Sequence, residues 1–166
     1  AKQANGAVFM VIGVTSLLAT ATCSKDANME LDFFPLTVDY IEKMYAAGKI
    51  PGGFIKREAK PSVNATLNAR LIDRAIRPLF PDGFRNNVHI VITVLSYDGE
   101  NDPGIMALTA TAAALGISDI PFHGPVAGVS VGIIDDEIEI YPTIEQMTNS
   151  KLDLAVAGTE TSIVMI

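Results

Sequence analysis

Apolar runs bounded by turn residues divide the chain into short strands and a few helices. Runs that alternate with polar residues, or that are rich in β-branched residues between glycine, proline and aspartate, are typical of strands. We predict strands at residues 7–12, 16–23, 33–40, 88–97, 126–134, 137–141, 152–157 and 162–166. Asp135 and Asp136 separate two of these runs and predict a tight hairpin, because aspartate tolerates the positive backbone angles of such turns. The side of the hairpin that carries Glu137, Glu139 and Tyr141 is expected to face water.

Two longer helices are predicted between the strands. The first begins near Ser62 or Asn64 and continues to about Ile76, where Pro78 blocks further extension. The second is predicted to begin at the pair Asp102-Pro103, a cap followed by proline at the first helical position. Residues 105–115 after it carry no charge. A helix that is apolar and small-sided all round must be buried against a sheet.

The order of these elements predicts an α+β fold. Strands come first and last, helices lie between them, and a short third helix is predicted at residues 143–147. We expect a mixed or antiparallel sheet packed against helices. With 166 residues, 49% of them hydrophobic, the chain has the size and apolar content of one core, so residues 1–166 are predicted to form a single domain. The chain opens without methionine and stops inside an apolar run, and we therefore expect a fragment of a longer protein.

Charge and the rarer residues narrow the possible functions. A net charge of -7 argues against nonspecific wrapping of nucleic acid, so any such contact must be local. Cys23 is the only cysteine, which excludes an internal disulfide and a cysteine-based zinc cluster and fits a reducing compartment. His89 and His123 lie far apart in the sequence without a neighbouring Cys or His at ligand spacing, so no metal site is predicted in this chain.

The uncharged stretch at residues 7–23 resembles a signal peptide that ends at a lipidated cysteine. Gly13 and Thr15 interrupt the stretch, and its later hydroxyl side chains fall at strand spacing, so two buried strands around a turn explain it better. No other segment approaches the roughly 20 apolar residues that a membrane span needs, and no membrane association is expected.

The segment from Lys56 to Arg77 is basic within an acidic chain. Its six basic and two acidic residues give a local charge of +6 - 2 = +4. An exposed, glycine-rich loop is predicted at residues 47–62, and Phe54 within it could stack on a base. The basic side chains of the segment are Lys56, Arg57, Lys60, Arg70, Arg74 and Arg77.

Helical spacing places the last three arginines on one stripe. Residues four and seven positions apart share a helix face, so Arg70, Arg74 and Arg77 are predicted to project together. Such cations repel one another, and a phosphodiester backbone is a suitable partner because a guanidinium can bind two phosphate oxygens. The alternative is an ordinary solvated face, with Asp73 pairing with Arg77 and Arg70. The adjoining side is predicted to be buried and comprises Leu67, Leu71, Ala75 and Ile76.

Several sequence blocks carry a family resemblance. They read DFFPLTVDY at 32–40, YAAGKIPGGF at 45–54, RLIDRAIRPLFP at 70–81, ENDP at 100–103, IPF at 120–122, GP at 124–125 and LDLAVAGT at 152–159. In this order they closely resemble the first ribonuclease PH-type core domain of polynucleotide phosphorylases. The likeness covers essentially the whole chain.

The resemblance implies a ribonuclease PH-like fold and an RNA-degrading assembly. The family forms a homotrimeric ring, and each full-length subunit has two such cores, a helical region, and KH and OB-fold domains. It degrades single-stranded RNA from the 3′ end with inorganic phosphate, releases nucleoside diphosphates, and can run in reverse. The phosphate-binding serine motif and the aspartates that hold Mg²⁺ or Mn²⁺ belong to the second core, so no catalytic residue is expected in this chain. A cytoplasmic (bacterial) or organellar-matrix location and possible degradosome partners are also implied.

The family's aperture loop, usually Phe-Phe-Arg-Arg, maps onto Phe54, Ile55, Lys56 and Arg57. The resemblance thus implies RNA contacts at Phe54, Lys56, Arg57, Lys60, Arg70, Arg74 and Arg77. Three departures stand out. Ile55 removes a stacking face and Lys56 replaces a two-pronged phosphate contact with a point charge, so the grip at the aperture is expected to be weaker. Val14 stands where the family commonly has an aspartate, which weakens the hydrogen bonding of that turn.

Two other functions remain open at the level of sequence. One is a noncatalytic RNA-binding ring subunit of an exosome-like assembly. The other is a metabolic α+β enzyme, in which Asp98, Glu100 and Asp102 would form a metal cluster. We interpret Asp102 instead as a helix cap and the other two as loop charges.

Overall fold

The computed structural model describes residues 1–58 and 60–166. These residues form eight strands and three α-helices, together with short 3-10 turns at Met44–Ala47 and Arg77–Leu79. The strands are β1 Gly6–Ile12, β2 Thr15–Ala27, β3 Leu36–Ile41, β4 Asn86–Ser96, β5 Ala127–Ile134, β6 Glu137–Ile140, β7 Asp153–Gly158 and β8 Ile163–Met165. The helices are α1 Val63–Ile76, α2 Pro103–Gly116 and α3 Ile144–Thr148.

The strands divide into two four-stranded sheets. The first has the order β1-β2-β4-β3, in which β3 lies parallel to β4 and α1 forms the crossover between them. The second has the order β6-β5-β7-β8 and is antiparallel throughout. The predicted α+β class is confirmed. The division into two sheets is new, since apolar runs alone do not specify which strands pair.

The predicted strands and helices are all present, but two strand boundaries were wrong. The strand predicted to end at residue 23 continues to Ala27. The strand predicted at residues 33–40 begins only at Leu36. Phe34 turns into an aromatic cluster, with ring centroids 4.6 Å from Phe80 and 5.6 Å from Phe84, and Pro35 has no N–H to donate to a sheet. The uncharged stretch at residues 7–23 forms the antiparallel pair β1 and β2, as predicted.

Helix α2 packs against both sheets. It contacts β1 and β2 on one side and β5 on the other, and eleven of its residues are buried. Gly6 lies so close that a Cβ atom there would meet the carbonyl oxygen of Ala114 at 2.0 Å, and a Cβ at Gly128 would press on Leu108 from the other side. Close approach of both sheets to an uncharged, small-sided helix therefore forms the core.

Helix α1 begins and ends where the sequence predicts. The Ser62 hydroxyl accepts a hydrogen bond from Ala65 N at 3.0 Å and caps the first turn. The predicted buried side was partly wrong, because Leu67 is 54% exposed. The residues that α1 buries are Ala65, Ile72, Ala75 and Ile76. Among the described residues, no helix is both long and apolar enough to cross a bilayer.

The predicted hairpin is confirmed at Asp135 and Asp136, whose φ angles are 51° and 65°. Glu137 and Glu139 are exposed, as expected. Ile138 and Ile140 on the opposite face are exposed as well, at 72% and 62%. Strand β6 is therefore solvated on both faces.

Asp98 fastens the β1–β2 turn to the loop that precedes α2. Its carboxylate accepts hydrogen bonds from Val14 N and Thr15 N, both at 3.2 Å, and from Glu100 N at 2.9 Å and Asn101 N at 3.0 Å. Burial on its own would raise the pKa of Asp98, but these hydrogen bonds together lower it well below its usual range. The turn at Val14 thus obtains from Asp98 a carboxylate partner that its own side chain does not supply.

We predict that Asp98→Asn destabilises the protein by roughly 2 kcal/mol, because hydrogen bonds to a charged group contribute about 1.5–3 kcal/mol. The folded-state pKa of Asp98 is depressed, so its contribution is present above the unfolded pKa of about 3.9 and is lost as the pH falls below it. Urea unfolding between about pH 6 and pH 2 should show a shallower loss of stability for the variant than for the wild type. Asp26→Asn, at an exposed site on β2, is the control; equal acid sensitivity of the Asp98 variant and the wild type would contradict the assignment.

Candidate nucleic-acid interface

The basic side chains of the predicted loop are exposed, as are the apolar side chains beside them in the sequence. Phe54 is 103% exposed and Ile55 73%, and Lys56, Arg57 and Lys60 are also exposed. Lys56 adopts φ 55°, which is uncommon for a residue other than glycine. Ala59, in the middle of the predicted loop, lies outside the described residues.

The far end of the loop is fastened to the body of the protein. Glu58 is partly buried, and its Oε1 accepts a hydrogen bond from Met44 N at 3.1 Å. The chain then enters α1 at the Ser62 cap. An apolar ring and an aliphatic side chain are thereby held in water beside three cations, an arrangement that can stack on a base and attract a phosphate.

Arg70 and Arg74 lie on the exposed side of α1, one helical turn apart, and line the same cleft. This basic cleft has a volume of about 520 Å³ and lies between α1, β7 and the end of β8. Over residues 1–58 and 60–166, neither guanidinium forms an ion pair. The cleft is lined by Arg70, Leu71, Asp73, Arg74, Asp153, Leu154, Ala155, Met165 and Ile166.

Arg77 does not join the other two arginines in this cleft. Its Nε and Nη2 donate to the two carboxylate oxygens of Asp73, at 3.1 and 2.6 Å. Nη1 donates to the carbonyl oxygen of Phe34 at 2.9 Å and Nη2 to that of Leu36 at 3.3 Å. The guanidinium carbon also lies 5.6 Å from the centre of the Phe34 ring. Arg77 thus joins the end of α1 to the start of β3.

These contacts correct the predicted stripe. For Arg77 the alternative of a pair with Asp73 holds, and the donors that would bind phosphate are used within the fold. Asp73 gives both oxygens to Arg77, so the predicted pairing of Asp73 with Arg70 is absent from the described residues. Two arginines, rather than three, remain available to an anion in the basic cleft.

A second, larger cavity of about 690 Å³ lies at the start of α2 and is acidic. Its four carboxylates and two lysines give a charge of -4 + 2 = -2, and it also contains polar groups of α1. Burial raises the pKa of the Tyr40 and Tyr97 phenols near this cavity, and the carboxylates of Glu42 and Asp102 raise both further. The charged residues that line this acidic cavity are Glu42, Lys43, Lys49, Glu58, Asp102 and Asp153.

The acidic cavity suits neither a phosphate nor a metal ion. The Asp102 carboxylate accepts a hydrogen bond from Gly104 N at 2.8 Å and closes the helix N-terminus at which an anion would bind. Asp102 is therefore the predicted cap. Asp98 is bonded to backbone N–H groups, as described above, and no group of three His, Cys, Asp or Glu among the described residues is placed to hold a metal ion. His89 Nε2 lies 2.8 Å from Asp39 on the surface of the first sheet.

Asp153 was not predicted as a site residue, yet it lines both the basic cleft and the acidic cavity. It is exposed and begins β7, opposite Gly132 of β5. The sequence feature that could have identified Asp153 is a charged residue at the start of an otherwise apolar strand. Only the fold reveals that this charge lines the same cleft as Arg70 and Arg74.

With the geometry in hand, comparison with known proteins decides the family. The model of the 3′ exoribonuclease family, domain 1, matches residues 1–121, and that of domain 2 matches residues 124–166. The chain belongs to the 3′ exoribonuclease family. The boundary between the two matches falls between α2 and β5, where the first sheet and its helices give way to the second sheet.

Relatives within this family confirm the resemblance to polynucleotide phosphorylases. Over 166 residues the chain is 59% identical to the polyribonucleotide nucleotidyltransferase of Syntrophomonas wolfei and 60% identical to that of Natranaerobius thermophilus. It covers 24% and 23% of those proteins, so it spans about a quarter of the length of the curated relatives that it matches.

A solved structure supports the fold independently. The crystal structure of rice (Oryza sativa) Rrp46 superposes with a TM-score of 0.75 at 12% sequence identity, over 100% of this chain and 77% of that one. At this identity the likeness shows a shared fold alone, and the fold is ribonuclease PH-like, as the family matches also show.

We predict that Arg77→Ala lowers stability by roughly 2 kcal/mol, because it removes hydrogen bonds to a charged group and leaves Asp73 unpaired. The melting temperature should fall by about 4–8 °C. Calorimetry measures this, and Arg74→Ala, on an exposed site of the same helix, is the control with a change within about 0.5 kcal/mol. RNA affinity is measured well below the melting temperature on the Asp73→Asn/Arg77→Ala variant, which removes both members of the ion pair and keeps the net charge of the cleft, and it should stay within about twofold of the wild type. If Arg77→Ala had normal stability and the double variant no longer bound RNA, Arg77 would be an RNA contact and not a structural residue.

Proposed function

We propose that this chain supplies an RNA-holding core to a phosphate-dependent 3′-to-5′ exoribonuclease. The observation that carries the proposal is the pair Arg70 and Arg74, unpaired among the described residues and lining one cleft of a chain with a net charge of -7. A local cation pair in an acidic protein binds a phosphodiester without binding polyanions over its whole surface. Relatives that match the whole chain and are named polyribonucleotide nucleotidyltransferase support the same activity.

The reaction would consume inorganic phosphate. A phosphate oxygen attacks the terminal phosphodiester, the bond to the preceding 3′ oxygen breaks, and a nucleoside diphosphate leaves together with an RNA shortened by one residue. The reverse reaction lengthens the RNA. We place this chemistry, with its phosphate and Mg²⁺ or Mn²⁺ sites, in a second core of the full-length protein. The Asp102 cap at the start of α2 and the acidic cavity around it support this division of roles.

The proposed RNA contacts are those that the structure leaves accessible. The loop would touch the strand with a stacking group and point charges, and α1 would hold its phosphates with two arginines. Arg77 is left out because its donors are bonded within the fold. The set is therefore Phe54, Lys56, Arg57, Lys60, Arg70 and Arg74.

We also propose an assembly and a location for the full-length protein. A homotrimeric ring would bring the loops of three subunits around one channel, and RNA degradosome components are candidate partners of the full-length protein. The single cysteine and the bacterial relatives support a cytoplasmic location. The fold shared with Rrp46 does not favour a noncatalytic ring subunit, since 12% identity speaks for the fold alone.

We predict that the Arg70→Ala/Arg74→Ala variant binds single-stranded RNA much more weakly, by about tenfold or more for each arginine, because a charge-assisted contact contributes roughly 1.5 kcal/mol or more. Each phosphate contact contributes about 0.7 to the salt slope of single-strand binding, so the slope should become shallower by about 1.4. Fluorescence anisotropy with labelled oligoadenylate between about 50 and 200 mM salt measures both. The control Lys2→Ala/Lys25→Ala removes the same charge at sites outside the interface and should have little effect on RNA affinity. Equal losses of affinity in the two double variants would mean that RNA responds only to the total charge and not to the cleft.

We also predict that the 166-residue chain alone releases no nucleoside diphosphate from RNA in the presence of inorganic phosphate and Mg²⁺. The reason is that neither cavity described above offers both an anion site and a metal site. Chromatography of the products of labelled RNA, with the full-length protein as the positive control, measures this. Phosphate-dependent release by the chain alone would overturn the division of roles, and a full-length protein that binds RNA but never releases diphosphates would favour a noncatalytic subunit.

A further inference from the structure

We propose that Asp153 marks the end of the phosphate-binding part of the basic cleft and limits how tightly the cleft holds RNA. This inference rests on the proposed function of the basic cleft. Asp153 belongs both to the basic cleft that contains Arg70 and Arg74 and to the acidic cavity at the start of α2. It therefore lies where the surface changes from cationic to anionic. A phosphate moving along α1 meets this carboxylate as it leaves the arginines.

The direction of the Asp153 side chain follows from the register of the second sheet. Residues 153, 155 and 157 point to one face of β7, and Ala157 on that face is fully buried in the core that includes α2. Asp153 is the outermost of the three, is exposed, and lines the basic cleft together with Arg70 and Arg74. Among the described residues it forms no ion pair, so charge pairing within the fold does not explain an aspartate at this position.

Asp153 has a large effect on the net charge of the basic cleft because the cleft contains few unpaired charges. Asp73 and Arg77 neutralise each other, which leaves two arginines against one carboxylate, +2 - 1 = +1. Removing the Asp153 charge doubles the net charge that a phosphate meets. A like charge within several ångströms of a surface phosphate changes affinity by several-fold at moderate ionic strength.

Such a boundary suits a strand that must advance. A site along a path has to bind well enough to admit its ligand and weakly enough to release it to the next position. Two arginines backed by a carboxylate hold a short stretch of phosphate and then release it. The acidic cavity beyond Asp153 keeps phosphates from extending the contact along α1.

The test compares Asp153→Asn with two controls. Asp153→Glu keeps the charge, and Glu160→Gln removes a charge of the same sign from the exposed β7–β8 turn, outside both cavities. Affinity and dissociation rate for labelled oligoadenylate, and for the DNA of the same sequence, are measured at about 100 mM salt. We expect Asp153→Asn to bind RNA about fivefold tighter and to dissociate more slowly, with DNA affinity rising in parallel and both controls within about twofold of the wild type.

Other results would overturn the inference. Unchanged affinity of Asp153→Asn means that the carboxylate does not act on the strand. Weaker RNA binding, with the preference for RNA over DNA lost, means that Asp153 accepts a hydrogen bond from the ribose. The Arg70→Ala/Arg74→Ala variant distinguishes failure of this inference from failure of the proposed function. If that variant loses RNA affinity while Asp153→Asn has no effect, only the inference about Asp153 fails. If neither variant changes RNA affinity, the proposed function of the basic cleft fails as well.

Discussion

The burial of α2 between the two sheets constrains the rest of the molecule. A helix without a charge over residues 105–115 buries most of its surface, and one sheet covers only one side of it. The first sheet therefore packs on one side through β1 and β2, and the second on the other through β5. Because β7 pairs with β5, this packing also carries the head of β7 to the side of α1. The basic cleft is a consequence of how α2 is buried.

The arginines of α1 show that partners, rather than spacing, decide what a cation does. Arg70, Arg74 and Arg77 share a face by helical geometry, but Arg77 stands at the end of the helix, where the chain that leads into β3 comes within reach. Its planar fork suits two carbonyl oxygens and a carboxylate at once. Once Asp73 is engaged with it, no carboxylate of α1 remains to neutralise Arg70 or Arg74. A structural ion pair thus keeps the neighbouring arginines available to a ligand.

Much of the fold could be predicted because it is encoded locally. The Asp102 cap, the Ser62 cap and the Asp135-Asp136 turn each depend on a few adjacent residues and were confirmed. The division into two sheets could not be predicted, since strand pairing is a long-range property. Leu67 was misplaced because the periodic pattern does not reveal where the neighbouring elements stop covering a helix.

The candidate site was predictable only in part, for the same physical reason. Basic residues within one segment and their helical phase can be seen in the sequence, so the exposed position of Arg70 and Arg74 on one face of α1 could be predicted. The two carbonyl acceptors of Arg77 lie more than forty residues away, and the β1–β2 turn that Asp98 fastens lies more than eighty residues away. Both depend on tertiary contacts. The absence of catalytic residues was expected from the resemblance alone, and it stays a prediction.

The local positive charge on α1 explains how a protein with a negative net charge can still bind a polyanion. Electrostatic attraction falls off within about 10 Å at moderate salt, so a strand responds to the charges directly beneath it and not to the net charge of -7. Two unpaired arginines are enough to hold phosphate locally, and the surrounding carboxylates discourage attachment elsewhere. Under the proposed function, the acidic surface would restrict RNA to one short path, which a moving strand can leave.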